Sequence, residues 1–129
     1  MSKYFKEIEE NMDKNFLDAL DEARGVAGIP FIINSAYRSP EHPLSIKNPT
    51  SSHIKGLAVD IRITSSRERF IILDALITVG FTRFGIADTF IHVDLDLDKT
   101  HNCLQHQDKK AFQCFKALNK MRAFFCYII

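Results

Sequence analysis

Two segments of this chain have the composition of buried β-strands, yet each carries an ionisable side chain near its centre. Leu57–Ile63 contains Asp60, and Thr89–Leu95 contains His92. Because alternate residues of a strand face the same way, the apolar neighbours of these two residues share the opposite face. Burying a carboxylate in such a strand is costly unless it is paired, bound to an ion or exposed. The two segments therefore predict a sheet with one apolar face and one polar face.

A second histidine precedes the first of these strands. The run Ser51-Ser52-His53-Ile54-Lys55-Gly56 places His53 seven positions before Asp60, with Gly56 between them to turn the chain. Neighbouring strands lie about 4.8 Å apart, so facing Asp60 and His92 side chains would reach one ion, and His53 would close over it. Two histidines and one aspartate are a standard ligand set for catalytic zinc, which keeps a fourth position for water. The pattern therefore predicts a zinc site.

Each of the three residues also has an ordinary structural interpretation. His53 alone is typical of an exposed histidine in a Ser-rich loop, and His92 alone is typical of a hydrogen-bonded histidine in a core. Asp60 alone is equally compatible with an ion pair to Arg62 or Arg83. The three residues together, in this order and spacing, favour a metal site.

Helix and strand signals alternate along the chain. Asp13 and Ser65 are helix-capping residues, and Gly28 and Gly80 follow the last helical positions. The loop from 36 to 52 is long for a small domain, which favours a functional loop. The predicted helices are 13–27 and 65–79, and the predicted strands are 31–33, 57–63, 82–86 and 89–95. The order α-β-β-α-β-β predicts an α+β fold, a single domain with a small, mostly antiparallel sheet and helices packed on it.

The sequence pattern divides the chain into three parts. Residues 1–12 are polar without a clear period, which predicts a loosely packed N-terminal arm. Residues 13–98 hold the predicted elements and form the core. Residues 99–129 are a C-terminal extension, in which five large apolar residues recur at near-helical spacing from Asp108 onward. This spacing predicts an amphipathic helix that packs on the domain, and a membrane or partner surface is the second interpretation.

Composition limits the possible partners and location. The formal net charge is only +1 at pH 7, so overall charge does not favour nucleic acid. No apolar stretch reaches transmembrane length, and the charged first residues do not resemble a secretory signal. We therefore expect a protein that is made and kept in the cytoplasm unless another factor releases it. The three cysteines all lie after residue 102, and their odd number argues against a disulfide framework. The sequence does not indicate an oligomeric state.

The motif Ser-x-His-x-x-Gly-x-Ala-x-Asp, followed by a Phe-x-His-x-Asp strand, resembles the zinc D-alanyl-D-alanine carboxypeptidase family. That family includes bacteriophage endolysins and related cell-wall endopeptidases, and its wider superfamily includes the hedgehog signalling domain. Here the motif runs from Ser51 to Asp60 and the strand from Phe90 to Asp94. The similarity covers roughly residues 12–95 and includes the run 29–42, which is similar to the family's strand and arginine-bearing loop.

The resemblance implies that His53, Asp60 and His92 are zinc ligands. It also implies metal-assisted hydrolysis of a peptide bond in the stem peptide or cross-link of bacterial peptidoglycan, by a D,D-carboxypeptidase or an endopeptidase. A zinc module that binds a peptide or protein partner without catalysis, as in the hedgehog branch, is the alternative. The sequence leaves open which bond is cut.

Two further residues acquire roles from the same resemblance. Arg38 would hold a substrate carboxylate or carbonyl oxygen, for which its planar charged fork is suited. The structural alternative for Arg38 is a salt bridge to Glu41 that braces the loop. Ser51 would orient the loop or a group beside a metal ligand, because no nucleophile elbow accompanies it.

The general base is the point at which this chain departs from many relatives. They place an acid three residues before the second histidine, where this chain has Thr89. Asp94 is the predicted base because it shares a strand face with His92, and Asp88 is the other candidate. A different role for Asp94, as the acceptor that fixes the imidazole of His92, is equally open at this point.

Overall fold

The computed structural model describes residues 1–96, residue 98 and residues 104–105. Within this part of the chain, a short 3-10 helix at Lys6–Ile8 is followed by three α-helices and five strands. The α-helices are α1 (Lys14–Ala27), α2 (Pro43–Lys47) and α3 (Ser66–Val79). The strands are β1 (Ile33–Ser35), β2 (Ala58–Arg62), β3 (Arg83–Ile86), β4 (Phe90–Asp94) and β5 (Leu104–Gln105).

The five strands form one sheet in the order β1-β2-β4-β3-β5. The pairs β1–β2, β2–β4 and β3–β4 are antiparallel, and β5 pairs with β3 in parallel. The predicted α+β class, a small and mostly antiparallel sheet with helices packed on it, is confirmed.

One face of the sheet forms the core with α1 and α3. Val59 and Ile61 of β2, and Ile91 and Val93 of β4, are completely buried and belong to one hydrophobic cluster with the two helices. The helical members of this cluster are Phe16, Leu17, Leu20, Ala23, Ile72, Leu73, Leu76 and Ile77. Because strand residues alternate between faces, this packing directs the ionisable residues of β2 and β4 to the other face of the sheet.

The two long helices begin and end where their capping residues predict. The Asp13 carboxylate accepts a hydrogen bond from the Phe16 amide, and the Ser65 hydroxyl accepts one from the Glu68 amide. Gly28 and Gly80 follow the last helical residues in the left-handed conformation, with φ of 69° and 115°. These local signals decide the helix boundaries because they satisfy backbone groups that the helix itself leaves unpaired.

The first strand lies two residues later than predicted. Ile33 pairs with Ile61 and Ser35 pairs with Asp60. The position of β1 is therefore determined by its pairing with β2, and not by the apolar run from which the strand was predicted. Phe31 is buried in the core before the strand begins, and the side chain of Ile32 is exposed. The expected strand at 31–33 was therefore wrong in its position by two residues.

Two short elements occur in segments for which a loop was predicted. Helix α2 lies within the loop from 36 to 52, where Pro43 occupies its first turn and the His42 ring accepts a hydrogen bond from the Leu44 amide. Strand β5 lies in the predicted C-terminal extension, before its predicted helix, and only pairing with β3 makes it a strand. Two residues are too few for a periodic signal, so sequence alone does not reveal β5.

The N-terminal segment is not loosely packed, which corrects the expectation for residues 1–12. Phe5 is a buried member of the core, and the Ser2 hydroxyl donates to the Asp21 carboxylate of α1 at 2.9 Å. The backbone of Asn11 lies so close to Gly56 that a Cβ at Gly56 would overlap the Asn11 carbonyl oxygen. The Asp13 amide also donates to the Gly56 carbonyl at 2.9 Å. This segment therefore supports the loop that carries His53.

The predicted helix from Asp108 onward lies outside the described residues, as do the three cysteines. The boundaries of the three predicted parts, 1–12, 13–98 and 99–129, stay predictions. Within the described part of the chain, no helix combines the length and apolar composition needed to cross a bilayer.

Candidate metal centre

Strands β2 and β4 place Asp60 directly opposite His92 on the outer face of the sheet. The Asp60 Oδ1 atom lies 2.9 Å from His92 Nδ1 and 3.3 Å from His53 Nε2. One potential ligand atom from each residue falls within 4.8 Å of the other two. The sequence therefore identified three residues that the fold does bring to one point. We refer to them as the triad.

His53 reaches the triad because its loop is fixed on both sides. We define this loop, residues 51–56, as the His53 loop. The His53 carbonyl accepts hydrogen bonds from the Arg38 and Gly56 amides, and Gly56 has a φ of 70° that favours glycine. The His53 Nδ1 atom contacts the Ala36 carbonyl oxygen at 2.8 Å. A carbonyl oxygen only accepts, so Nδ1 carries a proton, and Nε2 is the ring nitrogen that faces the triad.

His92 is held by carboxylates on both of its ring nitrogens. Its Nδ1 atom donates to Asp60, and its Nε2 atom donates to Asp94 Oδ2 at 2.8 Å. Burial of the ring opposes its protonation, but the two carboxylates outweigh burial and raise the pKa of His92 to about 9. With both carboxylates in contact, the imidazole is therefore a cation at neutral pH.

Asp60 remains ionised under all ordinary conditions. Burial acts to raise the pKa of its carboxyl group, but hydrogen bonds and charges from His53 and His92 prevail and lower that pKa well below its usual range. A carboxylate that keeps its charge and is partly exposed on the same face as two imidazoles is suited to share a cation with them. The alternative ion pairs of Asp60 with Arg62 or Arg83 are not formed.

The Asp94 carboxylate contacts Nε2 of His92, the ring nitrogen that points away from Asp60. Only 1% of Asp94 is exposed, and its other oxygen accepts from Arg83 Nε at 2.7 Å. Burial opposes ionisation of this carboxyl group, but His92 and Arg83 lower its pKa. The geometry thus matches the alternative that the sequence left open, in which Asp94 fixes the imidazole, more closely than the predicted role of general base.

The other candidate for the base, Asp88, lies beside Thr89 at the turn between β3 and β4. Asp88 and Thr89 are both exposed. The Asp88 carbonyl accepts from Arg69 Nη2 at 2.6 Å, which ties this turn to α3. Among the described residues, neither of these two side chains forms a hydrogen bond or ion pair with a residue of the triad.

Sequence reasoning missed a second buried carboxylate near the His53 loop. Asp96, which is 2% exposed, accepts a hydrogen bond from the Ser52 hydroxyl at 2.8 Å and pairs with Lys55 Nζ at 3.0 Å. Ser52 and Lys55 flank His53 in the chain, so Asp96 connects the end of β4 to the loop that carries this histidine. The available signal was the alternating acidic run Asp94-Leu95-Asp96-Leu97-Asp98.

The two remaining predicted site residues lie beside His53. Arg38 is partly exposed, its backbone amide donates to the His53 carbonyl at 3.1 Å, and no ion pair to Glu41 forms. Ser51 is buried, and its hydroxyl oxygen accepts from the His53 amide at 3.3 Å. The geometry of Ser51 fits a loop-orienting role, and substrate binding by Arg38 stays a prediction.

The triad has the donor set of a metal site. Its donors are two imidazole nitrogens and one carboxylate oxygen, which zinc prefers. Each imidazole uses its other nitrogen to bind an acceptor, the Ala36 carbonyl for His53 and Asp94 for His92. Metal-binding histidines almost always have such partners, which set the tautomer and ring orientation.

The fold and the triad together define the class of this protein. It is a small α+β domain with a candidate metal centre on the exposed face of its sheet. The sequence profile of the Peptidase M15 family matches residues 1–94, and the chain belongs to that family. Members of this family are metallopeptidases, which agrees with the resemblance of its motifs to zinc carboxypeptidases. Searches of curated proteins and of solved structures gave no significant match.

Proposed function

We propose that this protein is a zinc peptidase that hydrolyses peptide bonds in bacterial peptidoglycan, as a D,D-carboxypeptidase or an endopeptidase. The observation that carries the proposal is that His53, Asp60 and His92 each offer one ligand atom and that these three atoms lie within 4.8 Å of one another. These three atoms would hold the ion. Zinc bound in such a site supplies Lewis acidity and lowers the pKa of a bound water to about 7.

The protein's own contribution in this proposal is to position the ligands and the substrate. The Ala36 carbonyl and Asp94 hold the two imidazoles in the tautomers that leave one nitrogen each for the ion. Arg38 lies next to His53 through its backbone, where its guanidinium would bind a carboxylate or a carbonyl oxygen of the peptide. Asp94 is a positioning residue here, because proton transfer by its carboxylate would break hydrogen bonds to His92 and Arg83.

The test combines metal analysis with digestion of a natural substrate. Purified wild type is expected to contain about one zinc per chain and to release peptides from purified peptidoglycan, as detected by mass spectrometry. A chelator should stop release, and zinc should restore it. His53→Ala should lose metal and activity, since losing a ligand should cost more than the ~10–100-fold typical of changes beside the ligands. His42→Ala is the control, because His42 is exposed and only caps α2. Unchanged zinc content in His53→Ala would exclude this ligand set.

One observation favours a second candidate, a zinc module that binds wall peptide or a partner without cutting it. The position at which many relatives have an acid is Thr89, and the Asp94 carboxylate is engaged by His92 and Arg83. A wild-type protein that holds zinc and binds peptidoglycan, but releases no peptide under any metal loading, would establish this module and exclude the peptidase.

A further inference from the structure

Strand β1 runs past the triad and has an arginine near each of its ends. Beyond one end, the Ala36 carbonyl binds His53 and the Arg38 amide binds the His53 backbone. At the other end, the Ile32 carbonyl accepts from the Arg62 amide at 2.7 Å. Asp60 pairs with Ser35 between these two ends. A peptide lying over the triad along β1 would therefore extend towards Arg38 in one direction and towards Arg62 in the other.

Arg62 shares the strand and the face of Asp60. The two residues are separated by one position in β2, so their Cα atoms lie about 6.6 Å apart. Arg62 pairs with Phe90 in the sheet, as Asp60 pairs with His92. The side chain of Arg62 is exposed, whereas the neighbouring Ile61 is fully buried in the core. Only the residue pair Ile61–Ile91 therefore separates Arg62 from Asp60 and His92, and Arg62 lies on the same exposed face of the sheet.

A groove of about 360 Å³ extends from Arg62 to the start of α3. We call it the arginine groove. Its apolar lining comes from Ile29, Pro30, Ile32 and Ile71, and its two cations are Arg62 and Arg67. The only acid in the lining, Glu68, is hydrogen-bonded to the amide and hydroxyl of Thr64. The groove thus combines an apolar surface with a positive charge.

Both guanidinium groups are available for a ligand. Arg62 and Arg67 are exposed, and no hydrogen bond or ion pair joins either side chain to another of the described residues. Arginine presents a planar array of donors that matches a carboxylate in two-point contacts. An apolar groove with two such groups, one of which lies two residues from Asp60 on the same strand face, complements a peptide segment that carries a free carboxylate.

We propose that the arginine groove is a substrate subsite, in which Arg62 and Arg67 bind a free carboxylate on the part of the wall peptide that points away from Arg38. The inference rests on the proposed function and deepens it, because it selects among peptidoglycan chemistries. Stem peptides in which this carboxylate is free would be preferred over those in which it is amidated.

The experiment compares two synthetic stem peptides with zinc-loaded protein. One is L-Ala-γ-D-Glu-L-Lys-D-Ala-D-Ala with a free α-carboxylate on the glutamate, and the other carries an amide at that position. Calorimetry gives the Kd when mass spectrometry finds the peptide intact, and initial rates give KM when it is cleaved. Wild type is expected to bind the free acid roughly 3- to 10-fold more tightly, and added salt should reduce this preference.

Variants then assign the preference to the groove. Arg62→Gln and Arg67→Gln should each weaken binding of the acid peptide roughly 3- to 10-fold and leave the amide peptide unchanged, with kcat unaffected. Arg62→Lys should recover part of the loss because it keeps the charge. Arg24→Gln is the matched control, since Arg24 lies on α1 and stacks on the Tyr4 ring. Melting curves confirm that each variant is folded.

Three outcomes would overturn the inference. Equal binding of the two peptides by wild type excludes a carboxylate subsite, and equal weakening of both peptides in the arginine variants assigns them a structural role. Either result leaves the proposed peptidase intact. If wild type binds neither peptide and releases nothing from peptidoglycan, the proposed function fails and the subsite fails with it.

Discussion

At the scale of single residues, Asp94 connects the metal site to the interior of the protein. One of its oxygens holds the imidazole of His92, and the other holds the guanidinium of Arg83, which is itself 3% exposed. Arg83 and Asp94 face each other in the register of β3 and β4. A buried charge that loses its partner is strongly destabilising, so both residues depend on this pair.

We expect Asp94→Asn to impair metal binding and stability together. An amide cannot accept from both His92 Nε2 and Arg83 Nε with equal strength, because one of its two polar atoms is a donor. Zinc affinity should fall ~10–100-fold, and the free energy of unfolding should fall by about 3–5 kcal/mol. Chelator competition and denaturant unfolding measure the two effects.

Asp88→Asn serves as the control for this substitution and should resemble wild type, because its side chain is exposed at a turn. If Asp94→Asn instead keeps its zinc affinity and stability and loses only ~10²–10⁴-fold in rate, Asp94 is the general base after all.

The sequence was informative about the triad and uninformative about what surrounds it. His53, Asp60 and His92 were identifiable because ligand type and spacing are properties of the chain itself. The partners Arg83 and Ala36 were not, since they meet Asp94 and His53 only through strand register and loop packing. For the same reason, residue spacing placed Asp94 on the correct face but did not tell which ring nitrogen of His92 it would contact.

At the scale of elements, the His53 loop depends on contacts with three other segments. The N-terminal segment packs on Gly56, the segment after β1 binds the His53 ring and backbone, and Asp96 binds Ser52 and Lys55. Burial opposes ionisation of Asp96, but the hydrogen bonds from Ser52 and Lys55 lower its pKa. Capping signals allowed α1 and α3 to be predicted closely, whereas this loop owes its shape to distant residues.

Asp96→Ala should lower zinc affinity although Asp96 does not touch the triad. Removing a buried charged acceptor costs about 1.5–3 kcal/mol per hydrogen bond, and the loss should fall mainly on the position of His53. We expect a loss of about 10-fold in zinc affinity, with partial recovery in Asp96→Asn, which can still accept from Ser52. Competition with a calibrated chelator measures both.

The matched control for this prediction is Asp98→Ala. Asp98 contacts the same Lys55, but its side chain is 85% exposed, and surface pairs contribute only about 0–1 kcal/mol. Equal effects of the Asp96 and Asp98 substitutions would show that charge near Lys55, rather than the buried contact with the loop, is what matters.

At the scale of the whole molecule, the hydrophobic core and the triad lie on opposite faces of one sheet. The apolar side chains of β2 and β4 pack under α1 and α3, and the triad lies on the other side. This separation was predictable from the alternation of apolar and ionisable residues in two short strands. The additional strand β5 and helix α2 were not, because short elements of this kind form only in the context of the folded chain.

Zinc affinity is expected to rise with pH from 6 to 8 because zinc must displace the proton on His92 Nδ1. The pKa of His92 is raised to about 9 in the metal-free protein, so that proton is bound throughout this range. Each unit of pH below 9 then costs about 10-fold in affinity, or about 100-fold between pH 8 and pH 6. Asp60 does not add to this dependence, since its pKa is lowered and it stays ionised.

Chelator-buffered titrations at several pH values provide the measurement, and calorimetry in buffers of different ionisation enthalpy should detect about one proton released per zinc at neutral pH. The same proton stabilises the metal-free fold below pH 6.5, and that contribution is lost as the pH rises through about 9. An affinity that does not change between pH 6 and pH 8 would contradict the assignment of His92 as a ligand.

The hydrogen bonds on the outer nitrogens of His53 and His92 have a consequence for how this protein would acquire its ion. Both rings are already oriented, and the proton between His92 and Asp60 occupies the place of a cation. Because both rings are oriented by contacts outside the triad, a zinc ion would have to displace this one proton and would not have to reorient the histidines.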